Sequence, residues 1–214
     1  MRKLVFVCAG GFFLELLEYV SHDIENGNIK DIKVSGFIDE AKGISYDNVQ
    51  NLGTISGYEP QQDDVFIIAL GSPVNRSEIY KKLKRKNAKF LTYIHSSALV
   101  SPSAKVAEGA IICPYVIINA LATVGENVSI NVHSSVGHEA IVGESCVLSP
   151  YAAIGGSATL GDMSFMGTRT TIFPLVNVGA KSIVDTHSYV KMDAKEKSII
   201  SLRSEYKVIK NRLI

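Results

Sequence analysis

The 214-residue sequence predicts a small parallel α/β unit over residues 1–93, then a parallel β-helix over residues 94–190, with residues 191–214 as a C-terminal cap or tail. Three observations carry this reading. Every sixth residue from Ile94 to Val190 is aliphatic or Met, seventeen positions without a slip. Two places before each of them, from Ala98 to Ser188, stands a small or narrow residue, mostly Ala, Ser or Val. Before residue 93 the pattern changes: apolar runs alternate with helical stretches and end in Gly, Asp or Ser.

Composition narrows the function before any motif is read. With 22 Lys+Arg against 21 Asp+Glu, the net charge of +1 sets up no field to attract nucleic acid or anionic lipid. The lack of Trp removes the strongest stacking platform for single strands. Cys8, Cys113 and Cys146 have no metal-ligand spacing and suit a reducing compartment. The N-terminus runs directly into a strand pattern rather than a signal peptide. The most apolar window, 110–124, is interrupted by Pro114 and Asn119 and is too short to span a bilayer. The expectation is a cytoplasmic, soluble protein without a nucleic-acid or membrane partner.

The first elements follow in order. Lys3 to Cys8 reads as a buried strand, Phe12 to His22 as a helix, Lys33 to Ile38 as a second strand and Asp64 to Leu70 as a third. A helix from Val74 to Lys86 and a strand from Phe90 to Tyr93 complete the unit. In such sheets ligands sit beyond the carboxyl ends of the strands. That edge carries Gly10, Gly11, Asp39, Glu40, Gly71, Ser72, Asn75 and Arg76 as candidate substrate-binding residues.

A period of six is wrong for a helix, which needs 3.6. At a 46% apolar background, accident would produce this register about once in a million. Three hexads make one triangular coil of 18 residues, with the aliphatic inside and the small residue where the wall bends. No coil buries its own apolar face, so stability comes from stacking about five of them. The 18-residue spacing aligns Tyr115, His133, Tyr151, Arg169 and His187 on one corner, as a surface ladder or as a contact wall. It also stacks Gly156 on His138, an outward turn residue flanked by Gly137 and Glu139. Cys146 falls in an inward small slot, and Cys113 reads as packing.

Together the two halves resemble bacterial hexapeptide-repeat sugar acetyltransferases of the sialic acid O-acetyltransferase and bacillosamine N-acetyltransferase type. The resemblance covers nearly the whole chain and is most specific from Asn131 through Gly161, with His138-Glu139, Ile141-Val142-Gly143-Glu144 and Ser149-Pro150; Gly36 to Glu40, Ile68 to Gly71 and Arg76 add to it. It implies a Rossmann-like N-terminal domain, a left-handed β-helix, a homotrimer, and acetyl-CoA as co-substrate with a sugar or nucleotide-sugar acceptor. It further implies His138 as general base, Glu139 as its orienter, Gly156 as oxyanion donor and Asn131 as an acceptor or pantetheine contact. Whether nitrogen or oxygen is acetylated stays open, and a non-catalytic trimeric binding or scaffold protein on the same fold is the rival of another class.

The sequence departs from the family at three places. The first loop reads Ala9-Gly10-Gly11-Phe12-Phe13 where the family has further glycines and a His, Val147 replaces a second His, and the usual closing motif near the C-terminus is absent. No metal is expected. His133 and His138 have the spacing of two zinc ligands in hexapeptide-fold carbonic anhydrases, but the third position is Ser97, and His95 lies at another point of its hexad. The tail cations Arg203, Lys207, Lys210 and Arg212 read as a solvated face with a secondary reading as CoA-phosphate contacts.

Overall fold

A computed structural model describes residues 1–41 and 43–202; the tail cations lie outside the described residues. Three strands, β1 (Arg2–Val7), β2 (Ile32–Ile38) and β3 (Asp64–Ile68), form a parallel sheet in the order β2-β1-β3. Helix α1 (Gly11–Glu25) joins β1 to β2, and α2 (Pro73–Arg85) follows β3. Leu4, Phe6, Phe13, Leu16, Val20 and Phe37 close one side of the sheet, while Val5, Val7, Phe66, Ile68 and Leu83 close the other. The expected strand at Phe90 shrinks to a single parallel bridge with Phe66, because the chain turns at once into the solenoid. There Tyr93–Ile94 pairs with Ile111–Ile112.

From Tyr93 the chain forms a parallel β-solenoid of the left-handed β-helix type, built from two-residue strands in sheets of seven, six and five. Each strand pairs with the one 18 residues on, as Ser135–Val136 does with Ala153–Ile154. The aliphatic register is buried from Ile112 to Val190 and the small register from Ala110 to Ser188. Ile94, in the first coil, is 40% exposed because nothing stacks beneath it. The corners turn through left-handed residues every six positions, from Tyr115 (φ 60°) to His187 (φ 59°). Coil stacking continues past the last hexad: Ile183–Ile200 contacts shorten to a 16-residue step, with Ile183 paired to Ile199 and Val178 bridged to Ala194.

Candidate active site

Two surfaces carry the sequence-predicted site residues. The first is the carboxyl edge of the sheet. In the order β2-β1-β3 the connections leave β1 in opposite directions, so the switch point, where open α/β sheets bind ligands, lies between the ends of β1 and β3. Gly10 is the N-cap of α1 and offers no side-chain cap; an added Cβ at Gly10 or Gly11 meets nothing within 4 Å. Ser72 caps α2 from the other side, accepting from the Asn75 N–H at 3.5 Å, and Gly71 beside it is exposed. Two helix N-termini therefore face one open edge, an arrangement suited to phosphate.

The neighbouring acids are already engaged. Asp39 accepts the N–H groups of Ala9 (2.7 Å) and Ala41 (2.8 Å), which ties the first loop to the end of β2. Glu40 accepts the N–H and hydroxyl of Ser56 and lies 3.5 Å from Lys82, contacts that hold its carboxyl below the usual range. Phe13 is buried against Phe6, Phe37 and Tyr46, with Phe12 half-buried beside it, so both phenylalanines belong to the α1 core face.

Arg76 is a correction to the sequence reading. It is 0% exposed, and its guanidinium donates to the carbonyls of Ile68, Leu70 and Asn127 and to Asn127 Oδ1. Every acceptor is neutral, and burial lowers its pKa to about 9. With its donors spent on carbonyls, Arg76 locks the α/β unit to the solenoid and has none left for a substrate. Position 76 looks exposed in sequence because α2 is strongly polar; only the docked solenoid covers it.

The second surface is a solenoid corner. His138 leaves the turn after Ser135–Val136 with its side chain 66% exposed. Its Nδ1 lies 3.2 Å from Glu139 Oε2, which also accepts the Ser157 hydroxyl at 3.3 Å. Gly156 sits one coil further on, directly against the imidazole: an added Cβ would stand 2.6 Å from Cε1 and closer still to Nε2. Glycine is therefore required there by the ring.

The hexad turn also leaves the N–H of position 156 without a backbone partner among the described residues. At equivalent turn positions a side chain takes it: Asp162 Oδ1 accepts from Glu144, and Asn131 Oδ1 accepts from Val132. At Gly156 the residue one coil on is Pro174 and the preceding one is Gly155, and neither has an acceptor side chain. Pro174 was not singled out in the sequence, although the 18-residue step points to it. The corner thus holds an imidazole with a carboxylate on Nδ1, Nε2 outward, and a free N–H alongside. That set can take a proton from a nucleophile and stabilise a nearby oxyanion.

Other residues separate from this corner. Asn131 lies at the preceding corner, with the Ser135–Val136 strand between it and His138. Val147 is buried in the seven-stranded sheet, away from the His138 turn. His133 is stacked between Tyr115 and Tyr151, each 4.9 Å away and nearly coplanar, and Arg169 lies 5.0 Å over Tyr151, so the aligned ladder forms on the Asn131 corner. Cys113 and Cys146 are fully buried, and burial pushes both thiols up to about 12, which suits packing rather than attack.

No protein-family model matches the chain. Among solved structures, it is similar to the acetyltransferase domain of PglB from Neisseria gonorrhoeae, with a TM-score of 0.83 at 22% identity over 93% of this chain and 96% of that one. It is also similar to a histidine-to-asparagine variant of perosamine N-acetyltransferase from Caulobacter crescentus, in complex with CoA and GDP-perosamine, with a TM-score of 0.83 at 23% identity over 98% of both chains. WeeI from Acinetobacter baumannii gives 0.81 at 18% identity over 94% and 97%. The chain has their fold. The match spans both the α/β unit and the solenoid of this chain, so the order of the two is shared along with the coils. No helix among the described residues is long and apolar enough to cross a membrane.

Proposed function

We propose that this chain is an acetyl-CoA-dependent acetyltransferase acting on a nucleotide-linked amino sugar, in the biosynthesis of a surface glycan and in the cytoplasm, where acetyl-CoA is supplied. The observation that carries the reading is the His138 corner: a carboxylate-oriented imidazole packed on a glycine whose N–H is unspent. His138 Nε2 takes the proton as the acceptor's nitrogen or hydroxyl oxygen attacks the acetyl carbonyl carbon. The Gly156 N–H donates to the oxyanion of the tetrahedral intermediate. The C–S bond then breaks, and the CoA sulfur leaves with the proton held by His138. Glu139 keeps Nδ1 oriented throughout.

The small Rossmann-like domain holds the acceptor's nucleotide, with phosphate at the Gly10-Gly11 loop and the Ser72 cap. Gly71, Asp39 and Glu40 border it. A homotrimer is supported by the separation of Asn131 from His138: on different corners of one prism, they share a site only where two copies lie side by side. The face between these corners exposes Leu99, Ile117 and Tyr189, and the Asn131 corner exposes Tyr115 and Tyr151. The 1–93, 94–190 and 191–214 division then reads as acceptor domain, donor prism and cap.

The test is release of CoA thiol from acetyl-CoA with a panel of nucleotide-linked amino sugars. At least one acceptor should accelerate release well above hydrolysis, and His138→Ala should abolish that acceleration. Full acceleration in His138→Ala would remove the corner from the mechanism and leave the scaffold reading in its place.

A further inference from the structure

Away from His138, the end of α1 meets the first solenoid coil around a buried carboxylate. Asp23 is fully buried; its Oδ2 accepts the Tyr93 hydroxyl at 3.0 Å and the Ser96 N–H at 3.2 Å, and its Oδ1 accepts the Asn28 amide at 3.1 Å. Burial alone would raise its pKa, but hydrogen bonds from Ser96, Asn28 and Tyr93 outweigh it and keep the carboxyl below its ordinary value. Asp23 is therefore an ionised, buried carboxylate with no cation among the partners it hydrogen-bonds. A carboxylate offers about four lone-pair positions, and these bonds use three.

Two histidines flank it. His22 precedes it in the last turn of α1, where the negative end of the helix dipole favours a cation. His95 comes from the first solenoid turn, and one ligating atom from each of His22, Asp23 and His95 lies within 4.8 Å of the other two. The His95 ring is held in place: Ser97 engages Nδ1 through its hydroxyl (2.8 Å) and its N–H (3.0 Å), and Tyr19 packs edge-on at 5.7 Å. A fixed outer hydrogen bond of this kind is what commonly orients a metal-bound imidazole. Burial lowers the pKa of His95, partly offset by Asp23, which favours the neutral form that binds metal. The trio borders a cleft of about 520 Å³ lined also by Glu18, Tyr115 and His133, so water can complete a coordination shell.

We propose that His22, Asp23 and His95 bind one divalent transition-metal ion of the Zn²⁺ class, which clamps α1 to the first coil. Two imidazoles and one carboxylate with positions left open are a donor set for such ions rather than for Ca²⁺ or Mg²⁺, which prefer oxygen. The site is on a different corner from His138, and it stands or falls apart from the acetyl-transfer reading.

The experiment uses the full chain, untagged and stripped of metal, titrated with Co²⁺ and read by visible absorption, with thermal melts in Zn²⁺ alongside. One saturable Co²⁺ per chain is expected, and Zn²⁺ at about a hundred times its Kd should raise Tm by about 5 °C or more. His22→Ala removes an exposed ring and should fold normally, yet weaken Co²⁺ binding by about 10-fold or more and cancel the Tm shift. His95→Ala should do the same. The proposal is overturned if no stoichiometric Co²⁺ spectrum appears, if His22→Ala binds within about 3-fold of the parent, or if binding is lost in His133→Ala instead.

Discussion

Gly156→Ala isolates the geometry at the candidate base. Gly156 does not use the left-handed region, so its backbone accepts alanine. The new methyl, however, would occupy the space of the imidazole, 2.6 Å from Cε1 and nearer to Nε2. Something must yield, and it is the ring, since the His138 side chain is 66% exposed and free to swing outward. A base displaced by an ångström or more loses about 10²-fold in rate, within the 10²–10⁴ that a positioned base supplies. The fold should be nearly untouched, with Tm within about 2 °C of the parent, because only an exposed side chain moves. Gly143→Ala is the contrast. Its methyl would stand 2.6 Å from the Asp162 backbone nitrogen, and backbone cannot swing away. That variant should lose about 1–3 kcal/mol of stability through overpacking while its folded fraction keeps its rate. Thiol release at saturating acetyl-CoA and acceptor, with urea melts of each variant, separates the two. A Gly156→Ala enzyme within about 3-fold of the parent kcat would refute the stacking argument.

Further outcomes follow from the same structure. His138→Ala should reduce turnover by about 10²-fold or more without unfolding the chain, measured by the same assay with circular dichroism as the control. Arg76→Ala should cost about 3 kcal/mol or more in urea denaturation, since it opens a cavity and strips partners from buried carbonyls, while acceptor KM in the folded enzyme stays put. Removing the nucleotide from the acceptor should weaken binding by less than about 100-fold, or 2.7 kcal/mol, by calorimetry. Phe12 and Phe13 fill the helix face and Arg76 is spent elsewhere; a larger loss would show that Gly10 and Gly11 alone cradle the phosphates. Asn131→Ala and His138→Ala, each inactive, should regain about a quarter of parental activity when unfolded and refolded together, if neighbouring copies share each site in a closed ring. No regain would place each site within one chain.

The solenoid was legible in sequence because its period is local. A β-helix repeats the same contact every 18 residues, so an inward aliphatic at Ile112 implies those at Ile130, Leu148 and Met166, and the stacking of His133 on Tyr115 and of Gly156 on His138 follows from counting. The strands and helices of the first unit were legible for the ordinary reason that apolar runs and caps are local too. What spacing cannot carry is any contact between segments that share no period. The burial of Arg76 depends on where α2 docks against Asn127, 51 residues away, and no pattern in α2 marks that side as covered. The gathering of His22, Asp23 and His95 depends on the end of α1 meeting the first coil, a distance of 73 residues between Asp23 and Ser96. The freedom of the Gly156 N–H lies between these cases: the 18-residue step reaches Pro174, but only the turn geometry shows which N–H faces outward and finds no acceptor. Periodic contacts are set by the chain's own repeat, whereas docking of one unit on another is set by two surfaces meeting, and that information exists only once both are folded.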